Sequence, residues 1–497
     1  MWPINTKFVQ ALRRASTEIP PGGHSRHASL NITSPRSEVM NTEFTPLLNN
    51  GRPGADAPSN RDDAPPGFWR HLLLNPRSSP GTDSPNPLVR WPAHLWNIAK
   101  VTLYSSWINI LLFFVPLGII AGEREWSAPW VFTLNFFAII PLAAVLSFAT
   151  EEIAARLGET LGGLVNATFG NAVELIVSIV ALRAGEIEVV QASMLGSILS
   201  NLLLVLGFCF FLGGIFNMRN ADGDGIEQTF TAATAQTTCS LMTLASASMI
   251  LPAALYGVLD QSEEHNKQAS ILVLSRGTSV VLLLLYVLYL YFALHTHKKL
   301  FEPEPSGSRA ENGLSGLHQH GDSDEDDQEE HHHQPLLDAW SAGLVLVATT
   351  LVISVCADYM VESIDALVAT GKISKTFIGL ILIPIVGNAA EHVTACVVAV
   401  KDKMDLAMGV AIGSSIQIAL LVTPALVMLG WAIGQPMSLH FETFETIAFG
   451  LSVLVVTYTV QDGKSNYLEG AMLLGLYMII ALAFWASPPD ALQKFSS

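Results

Sequence analysis

The sequence has few cysteines and few charged residues for its length, and both shortages exclude classes of protein. Four cysteines occur in 497 residues. All four lie within apolar runs, without the spacing of a zinc site or of a small secreted domain, so we assign them no disulfide and no chemistry. Only 14% of the residues are charged, whereas 50% are hydrophobic. This balance is too apolar for an ordinary soluble protein and favours an integral membrane protein.

Two kinds of sequence signal are also missing. The chain contains neither a His-Glu-x-x-His motif nor a Gly-x-Gly-Asp motif, so an intramembrane hydrolase is not favoured. Residues 1–95 are rich in Pro, Ser, Gly, Asn and Arg and lack the apolar core of a signal peptide. We therefore predict that residues 1–95 form a disordered tail.

Apolar runs of about 20 residues recur along the rest of the chain, and each is long enough for a helix to cross the bilayer core. Hydropathy predicts eleven transmembrane helices, near residues 104–122, 127–150, 160–183, 190–215, 229–252, 270–295, 338–357, 374–399, 405–431, 440–461 and 466–487. The predicted fold class is an all-α polytopic membrane protein.

One long polar connection divides the predicted membrane domain. It carries three adjacent histidines and a run of acidic residues: Asp322, Asp324, Glu325, Asp326, Asp327, Glu329 and Glu330. Much of the net charge of −17 lies in this loop, and we predict no nucleic-acid partner. A solvated spacer and a regulatory segment that senses metal ions are both open interpretations of the loop.

A short motif occurs twice. Gly170-Asn171-Ala172-Val173-Glu174 recurs in the second half of the chain as Gly387-Asn388-Ala389-Ala390-Glu391, and at the same offset Gly196-Ser197 falls on Gly413-Ser414. The third and eighth predicted helices carry the motif. Because these helices are an odd number of spans apart, the two copies cross the membrane in opposite directions. Inverted repeats are typical of secondary transporters, whose substrate site lies near the midplane between the copies.

The repeat and the loop together predict five segments. These are a tail (1–95), the first helix with the first repeat (96–295), an acidic and histidine-rich loop (296–336), the second repeat (337–488) and a short carboxyl-terminal tail (489–497). The first helix then stands outside two inverted five-helix repeats. Lys and Arg favour the cytosolic side of short loops, and their distribution places the amino terminus and the acidic loop in the cytosol.

The repeated motif predicts a cation site. Asn and Glu three residues apart lie on one face of a helix. An ionised carboxylate at the centre of a span costs roughly 2.5–3.5 kcal/mol, and a bound cation compensates for that cost. Calcium takes roughly six to eight oxygen ligands, and two carboxylates balance its charge. The predicted calcium site comprises Glu174, Glu391, Asn171, Asn388, Gly170 and Gly387.

Other polar residues near the motif are candidates for lining this site. They are Ser197, Ser200, Asn201, Ser414, Ser415, Gln417 and His392. Packing between polar helices is the competing explanation for the Ser, Asn and Gln residues. His392 either tunes the adjacent carboxylate or lies away from the site, since it is about 100° round the helix from Glu391. Glu151 and Glu152, at the end of the second predicted helix, are expected to be solvated.

Burial of the two glutamates also predicts that calcium and protons compete for the site. Burial favours the protonated form of a carboxyl group, so an empty site is expected to take up protons in place of calcium. Calcium and protons would then occupy Glu174 and Glu391 in turn, as the protein alternates between two states. No covalent step and no cofactor is needed, and we predict a transporter rather than an enzyme.

At these residues the sequence resembles the calcium/proton exchangers of the cation/calcium exchanger superfamily, particularly the fungal vacuolar kind. The resemblance covers about residues 96–485 and is strongest at Gly387 to His392; Val173 stands where Thr is frequent. It implies a vacuolar membrane, uptake of cytosolic calcium driven by an acidic lumen, and some manganese transport. Sodium-coupled relatives usually carry proline before the acidic residue, and its absence before Glu174 and Glu391 favours protons.

Two other transport functions stay open. A transition-metal (zinc or manganese)/proton exchanger would fit the histidine-rich loop, although the predicted helices lack the clustered His and Asp ligands that such metals prefer. A cation channel could use the same two glutamates. The expected partners are calcium, protons and the lipid bilayer, and the sequence allows a homo-oligomer.

Overall fold

A computed structural model describes residues 84–219, 223–259, 264–301, 336–370 and 373–486, and these residues are helical almost throughout. The helices of the first half are α1 (Pro87–Tyr104), α2 (Phe114–Glu123), α3 (Ala128–Phe169), α4 (Ala172–Ala184), α5 (Ile187–Leu199), α6 (Leu206–Phe216), α7 (Ala232–Val258), α8 (Glu264–Tyr291) and α9 (Lys298–Phe301). A 3-10 helix, Trp107–Phe113, precedes α2, and wide π-helical turns occupy Ser200–Val205 and Phe292–Thr296.

The second half of the described chain is also helical. Its helices are α10 (Ala339–Val368), α11 (Lys375–Phe377), α12 (Ile383–Gly387), α13 (Ala389–Val400), α14 (Met404–Gln417), α15 (Thr423–Ile433), α16 (Thr443–Thr459) and α17 (Tyr467–Ala486). Wide π-helical turns lie at Ile378–Leu382 and Ile418–Val422. Two short strands, Gln228–Thr229 and Lys464–Ser465, pair antiparallel and join a loop of each half.

Seven helical stretches in the described ranges are long and apolar enough to cross a membrane, and three bent pairs bring the number to ten if each pair is one span. The bent pairs are Leu88–Tyr104 with Trp107–Glu123, Leu161–Phe169 with Ala172–Ala184, and Lys375–Gly387 with Ala389–Val400. Helix α16 is apolar but shorter. The predicted all-α membrane fold is confirmed, whereas the count of eleven spans stays a prediction.

The amino-terminal boundary differs from the prediction. Helix α1 begins at Pro87, so residues 87–95 are helical and the predicted tail is too long. The error arose because α1 contains Pro92 and charged residues, and therefore forms no long apolar run. The earlier residues of the tail, the acidic and histidine residues of the loop and the residues after 486 lie outside the described ranges.

The interior is built around two kinds of helix contact. The stretch Ile187–Phe216 is the most enclosed of the seven spans. At Gly196 it touches the second half so closely that an added Cβ would lie 2.1 Å from the carbonyl oxygen of Leu380. Helices α3 and α10 form the most extensive helix pair in the described chain. Helix α3 breaks at Gly158, whose φ of 77° favours glycine, and its last turns lead into α4.

Candidate functional site

The two copies of the motif lie at interruptions of two helical spans. The chain bends by 43° between Leu161–Phe169 and α4, and by 59° between Lys375–Gly387 and α13. Asn171 and Asn388 lie outside regular helix at these breaks, each immediately before the helix that follows. Glu174 and Glu391 consequently lie in the first turn of α4 and of α13. The same short sequence thus produces the same local structure twice.

The two breaks meet inside the protein. Asn171, Glu174 and Asn388 are at most 6% exposed, and Glu391 is half-buried. A Cβ added to Gly387 would lie 2.7 Å from Oε1 of Glu174, so only glycine leaves room for this carboxylate beside the second break. The carboxylate of Glu174, from the first motif, therefore lies beside the break that carries the second motif.

A hydrogen-bond network joins the first break to α14. The Asn171 side chain donates to Oε1 of Gln417 at 2.5 Å and accepts from the Ser414 hydroxyl at 2.8 Å. The Asn201 amide donates to the same hydroxyl at 3.1 Å. Asn171, Asn201, Ser414 and Gln417, all predicted to line the site, are thus brought together. Both side-chain amide atoms of Asn171 therefore have hydrogen-bond partners within the protein.

Several polar atoms of the site have no such partner. Oε2 of Glu174, Oε2 of Glu391 and both amide atoms of Asn388 are buried without a hydrogen bond to any described residue. Buried polar atoms are normally paired, because an unpaired one costs free energy. Three of these four atoms are oxygens, which are the ligands that calcium prefers. In the described ranges no group of three or more His, Cys, Asp or Glu side chains could hold a metal ion.

The other predicted lining residues are placed differently. Nε2 of His392 lies 3.3 Å from the Ser200 hydroxyl, so these two contact each other across the two halves. The Ser415 hydroxyl donates to the carbonyl oxygen of Ala411 at 3.0 Å and therefore bonds its own helix. Ser197 is buried, but the structure gives it no contact with the carboxylates.

An apolar cavity adjoins the site on one side, and exposed polar residues lie on the other. Beside Glu174 lies a cavity of about 10 Å³, whose other lining is almost entirely apolar: Ile139, Val173, Val177, Met360, Ile383, Val386 and Gly387. This volume is at most that of a single water probe. Towards the other side, by contrast, Asn166, Thr168 and Thr394 are exposed. These three exposed side chains lie on the half of each bent span that is nearer to Gly158 of α3 and to the end of α13.

Two charged residues of α3, Glu152 and Arg156, make contacts that the sequence did not predict. The Glu152 carboxylate accepts from the backbone N–H of Leu337 at 2.7 Å, and the Arg156 guanidinium donates to the carbonyl oxygen of the same residue. Glu152 is only 7% exposed, so the expectation that it is solvated was wrong. The signal available in the sequence was a pair of opposite charges four residues apart at the end of an apolar run.

An ion-pair cluster lies at the opposite ends of the helices. Nζ of Lys375 is 2.8 Å from Oε2 of Glu186 and 2.6 Å from Oδ1 of Asp365. Lys375 thereby connects the start of the bent span, the turn before α5 and the end of α10. The helices that enclose the site are thus tied together on the closed side.

Comparison with known proteins identifies the family. The sequence profile of the family described as sodium/calcium exchanger protein matches residues 127–295 and 341–486. A vacuolar calcium ion transporter of Schizosaccharomyces pombe is 47% identical over 392 residues, which are 79% of this chain and 87% of the relative. A Ca²⁺/H⁺ antiporter of Synechocystis is 43% identical, over 76% of this chain and 97% of the relative. The resemblance predicted from the motifs is confirmed.

Solved structures show the same architecture. The structure of native YfkE matches with a TM-score of 0.61 and 33% identity, over 76% of this chain and 100% of that chain. The crystal structure of the H⁺/Ca²⁺ exchanger CAX matches with a TM-score of 0.53, over 76% of this chain and 91% of that one. Its identity of 12% makes it a likeness of fold alone.

Proposed function

Because the chain belongs to the sodium/calcium exchanger protein family, we propose that it is a secondary transporter that exchanges calcium for protons across a membrane. One observation carries this proposal: two glutamates, each with a buried and unpaired carboxylate oxygen, lie at two matched helix breaks that meet inside the protein. Two relatives, 47% and 43% identical, are a vacuolar calcium ion transporter and a Ca²⁺/H⁺ antiporter. Neither of these names describes an enzyme.

Two inverted repeats account for the shape of the site. The breaks at Gly170-Asn171 and Gly387-Asn388 are separated by the offset of the repeated motif. The wide π-helical turns Ser200–Val205 and Ile418–Val422 end at residues related by that same offset. Such irregular turns inside spans are frequent at functional sites and are tolerated where they are buried in protein. These matched irregularities support a common origin for the two halves.

The chemistry of exchange follows from charge compensation. Two ionised carboxylates match the charge of one calcium ion, and the unpaired Asn388 amide oxygen adds a neutral ligand. Without calcium, two adjacent buried carboxylates repel each other and are poorly solvated, so both favour the protonated form. Binding of calcium therefore releases protons, and binding of protons releases calcium.

The enclosure of the site implies how access alternates. We take the exposed Asn166, Thr168 and Thr394 to mark the accessible side of the site, which we place on the side of the amino-terminal segment. Ile139 of α3 and Met360 of α10 line the apolar cavity on the closed side. Because α3 and α10 pack along each other, their joint movement away from Val177 and Ile383 would open that side. We place the amino terminus in the cytosol and the protein in the vacuolar membrane, so calcium enters the site from the cytosol.

Transport by the purified protein tests this function. Full-length protein is incorporated into liposomes with an acidic interior, and calcium uptake is measured together with the interior pH. We expect calcium to enter as the interior becomes alkaline. Zinc and manganese are supplied in parallel, because they represent the alternative substrates. Calcium entry without a change of interior pH would identify a channel and contradict exchange.

The same assay tests the two glutamates. Glu174→Gln and Glu391→Gln should each abolish calcium-dependent alkalinisation, since the amide keeps the shape of the side chain but loses its charge and its proton. Glu445→Gln is the matched control, because Glu445 is also buried, at 3% exposure, but lies on α16. Undiminished exchange by both site variants would contradict the assignment.

A further inference from the structure

A groove separates α1 from the first turns of α10, away from the exchange site. Its volume is about 690 Å³. Arg90 and His94 line it at one end, together with apolar side chains that include Trp91, Leu95, Trp340 and Leu344. A ligand that fits this lining has a charged or polar end and an apolar body.

The charged end of the groove is basic. Helix α1 contains Arg90, His94 and Lys100 and no acidic residue. Within the described ranges, the side chains of Arg90 and His94 form no hydrogen bond and no ion pair. Asp338 also lines the groove, but its carboxylate caps α10 by accepting from the Ser341 hydroxyl and backbone N–H. The Asp338 charge interacts with the nearby Arg156 guanidinium, so Arg90 and His94 are the basic groups of the groove without a partner in the described ranges, and they suit an anion.

The apolar end of the groove continues along the membrane-facing surface of α10. Trp340, Leu344, Val347 and Leu351 are 54% to 90% exposed. Their spacing of three or four residues places them on one face of the helix. This strip runs from the groove into the part of α10 that crosses the membrane. An acyl chain lying along the strip would remain in the hydrocarbon.

The orientation of α1 places the groove at the level of the lipid headgroups. Helix α1 is bent by 113° from the helical stretch Trp107–Glu123. If that stretch crosses the bilayer, α1 lies near the membrane plane. Its Trp91 and Leu95 are more than half exposed, while Lys100 and Val101 on another face are buried. Tryptophan beside basic residues is typical of a helix at the membrane interface.

We propose that this groove binds one anionic phospholipid from the leaflet on the amino-terminal side. The headgroup phosphate contacts Arg90 and His94, and an acyl chain lies along Leu344, Val347 and Leu351 of α10. The bound lipid joins α1 to α10, the helix that supplies Met360 to the cavity beside Glu174. This inference does not depend on the identity of the transported ion.

Binding of phosphatidylserine to the delipidated full-length protein in detergent tests the proposal, with binding followed by native mass spectrometry. We expect one phosphatidylserine per chain to be retained in preference to phosphatidylcholine. Arg90→Gln should weaken this binding roughly fivefold, which is the usual contribution of one basic residue at an anionic membrane surface. Arg124→Gln is the matched control, because Arg124 is an exposed arginine at the far end of α2 and should leave binding unchanged.

Two further experiments distinguish a bound lipid from a bound soluble phosphate compound. Soluble glycerophosphoserine should not displace the lipid, and Leu344→Asn should weaken phosphatidylserine binding, because both results require the acyl chain. Gel filtration and an unchanged thermal unfolding temperature establish that each variant is folded. Equal retention of both lipids, equal binding by Arg90→Gln and Arg124→Gln, or displacement by glycerophosphoserine would overturn the proposal.

Discussion

Asn171 and Asn388 occupy equivalent positions of the repeated motif, yet their side chains have different surroundings. The Asn171 amide bonds Gln417 and Ser414, whereas both amide atoms of Asn388 are buried without a partner among the described residues. One amide is therefore paired within the protein, and we propose that the other binds the transported ion. The sequence predicts the same role for both, because the two motifs are identical at this residue.

Substitution by leucine should separate these roles. Asn388→Leu removes two unpaired polar atoms, so we expect an unchanged or higher unfolding temperature without calcium and loss of the stabilisation by calcium. Asn171→Leu leaves Gln417 and Ser414 without their partner and should lower stability by about 1–3 kcal/mol. Thermal unfolding of both variants, with and without calcium, measures this difference. Equal destabilisation by both substitutions without calcium would show that the two amides are equivalent.

Among helices, the two halves of the protein differ in how tightly they pack. Gly196 and Gly413 are related by the repeat, since they are separated by the same offset as the two motifs. A Cβ added to Gly196 would lie 2.1 Å from the carbonyl oxygen of Leu380, whereas a Cβ added to Gly413 would meet nothing within 4 Å. Helix α5 is thus fixed against the second half, and α14 has open space at the corresponding position.

An alanine at each of these glycines tests the difference. Gly196→Ala should destabilise the protein by about 1–3 kcal/mol, because the backbone of the π-helical turn has to move to admit the methyl group. Gly413→Ala is its internal control and should be neutral or slightly stabilising, because alanine favours the helix more than glycine does. Chemical or thermal unfolding of the two variants provides the comparison. A larger loss of stability for Gly413→Ala would refute the packing described for these helices.

The sequence predicts those helices that form long apolar runs, whereas it predicts continuous helices where the structure has breaks at Gly170-Asn171 and Gly387-Asn388. It also predicts that Glu174 and Glu391 lie on matched helices, because the motif is repeated at a fixed offset. Helix α1 escaped prediction because Pro92 and charged residues interrupt its apolar pattern, and its buried Val101 packs with residues that are distant in the sequence, Leu337 and Ala342. The hydrogen bond of Glu152 could not be predicted either, since its partner is the backbone of residue 337, which is distant in the sequence. Contacts between distant segments are not encoded in local patterns.

For the whole molecule, the two sides of the exchange site are not equivalent. On the bent span of the second half, Thr394 is exposed, while Thr376, which precedes Glu391, is 3% exposed and donates to Glu188 at 3.0 Å. The first half shows the same difference in exposure, because Asn166 is exposed and Ser178 is buried. We therefore predict a state that is open to water on the amino-terminal side.

Accessibility of single cysteines tests this state in a variant whose four native cysteines are replaced by alanine. In calcium-free membranes, a membrane-impermeant thiol reagent added on the amino-terminal side should modify Thr394→Cys. Thr376→Cys serves as the matched control and should react slowly from either side, because it lies beneath the ion-pair cluster of Lys375. If Thr394 faced lipid rather than water, its cysteine would not react, since thiol reagents of this kind attack the hydrated thiolate. Faster modification of Thr376→Cys than of Thr394→Cys would show that the opposite side is open.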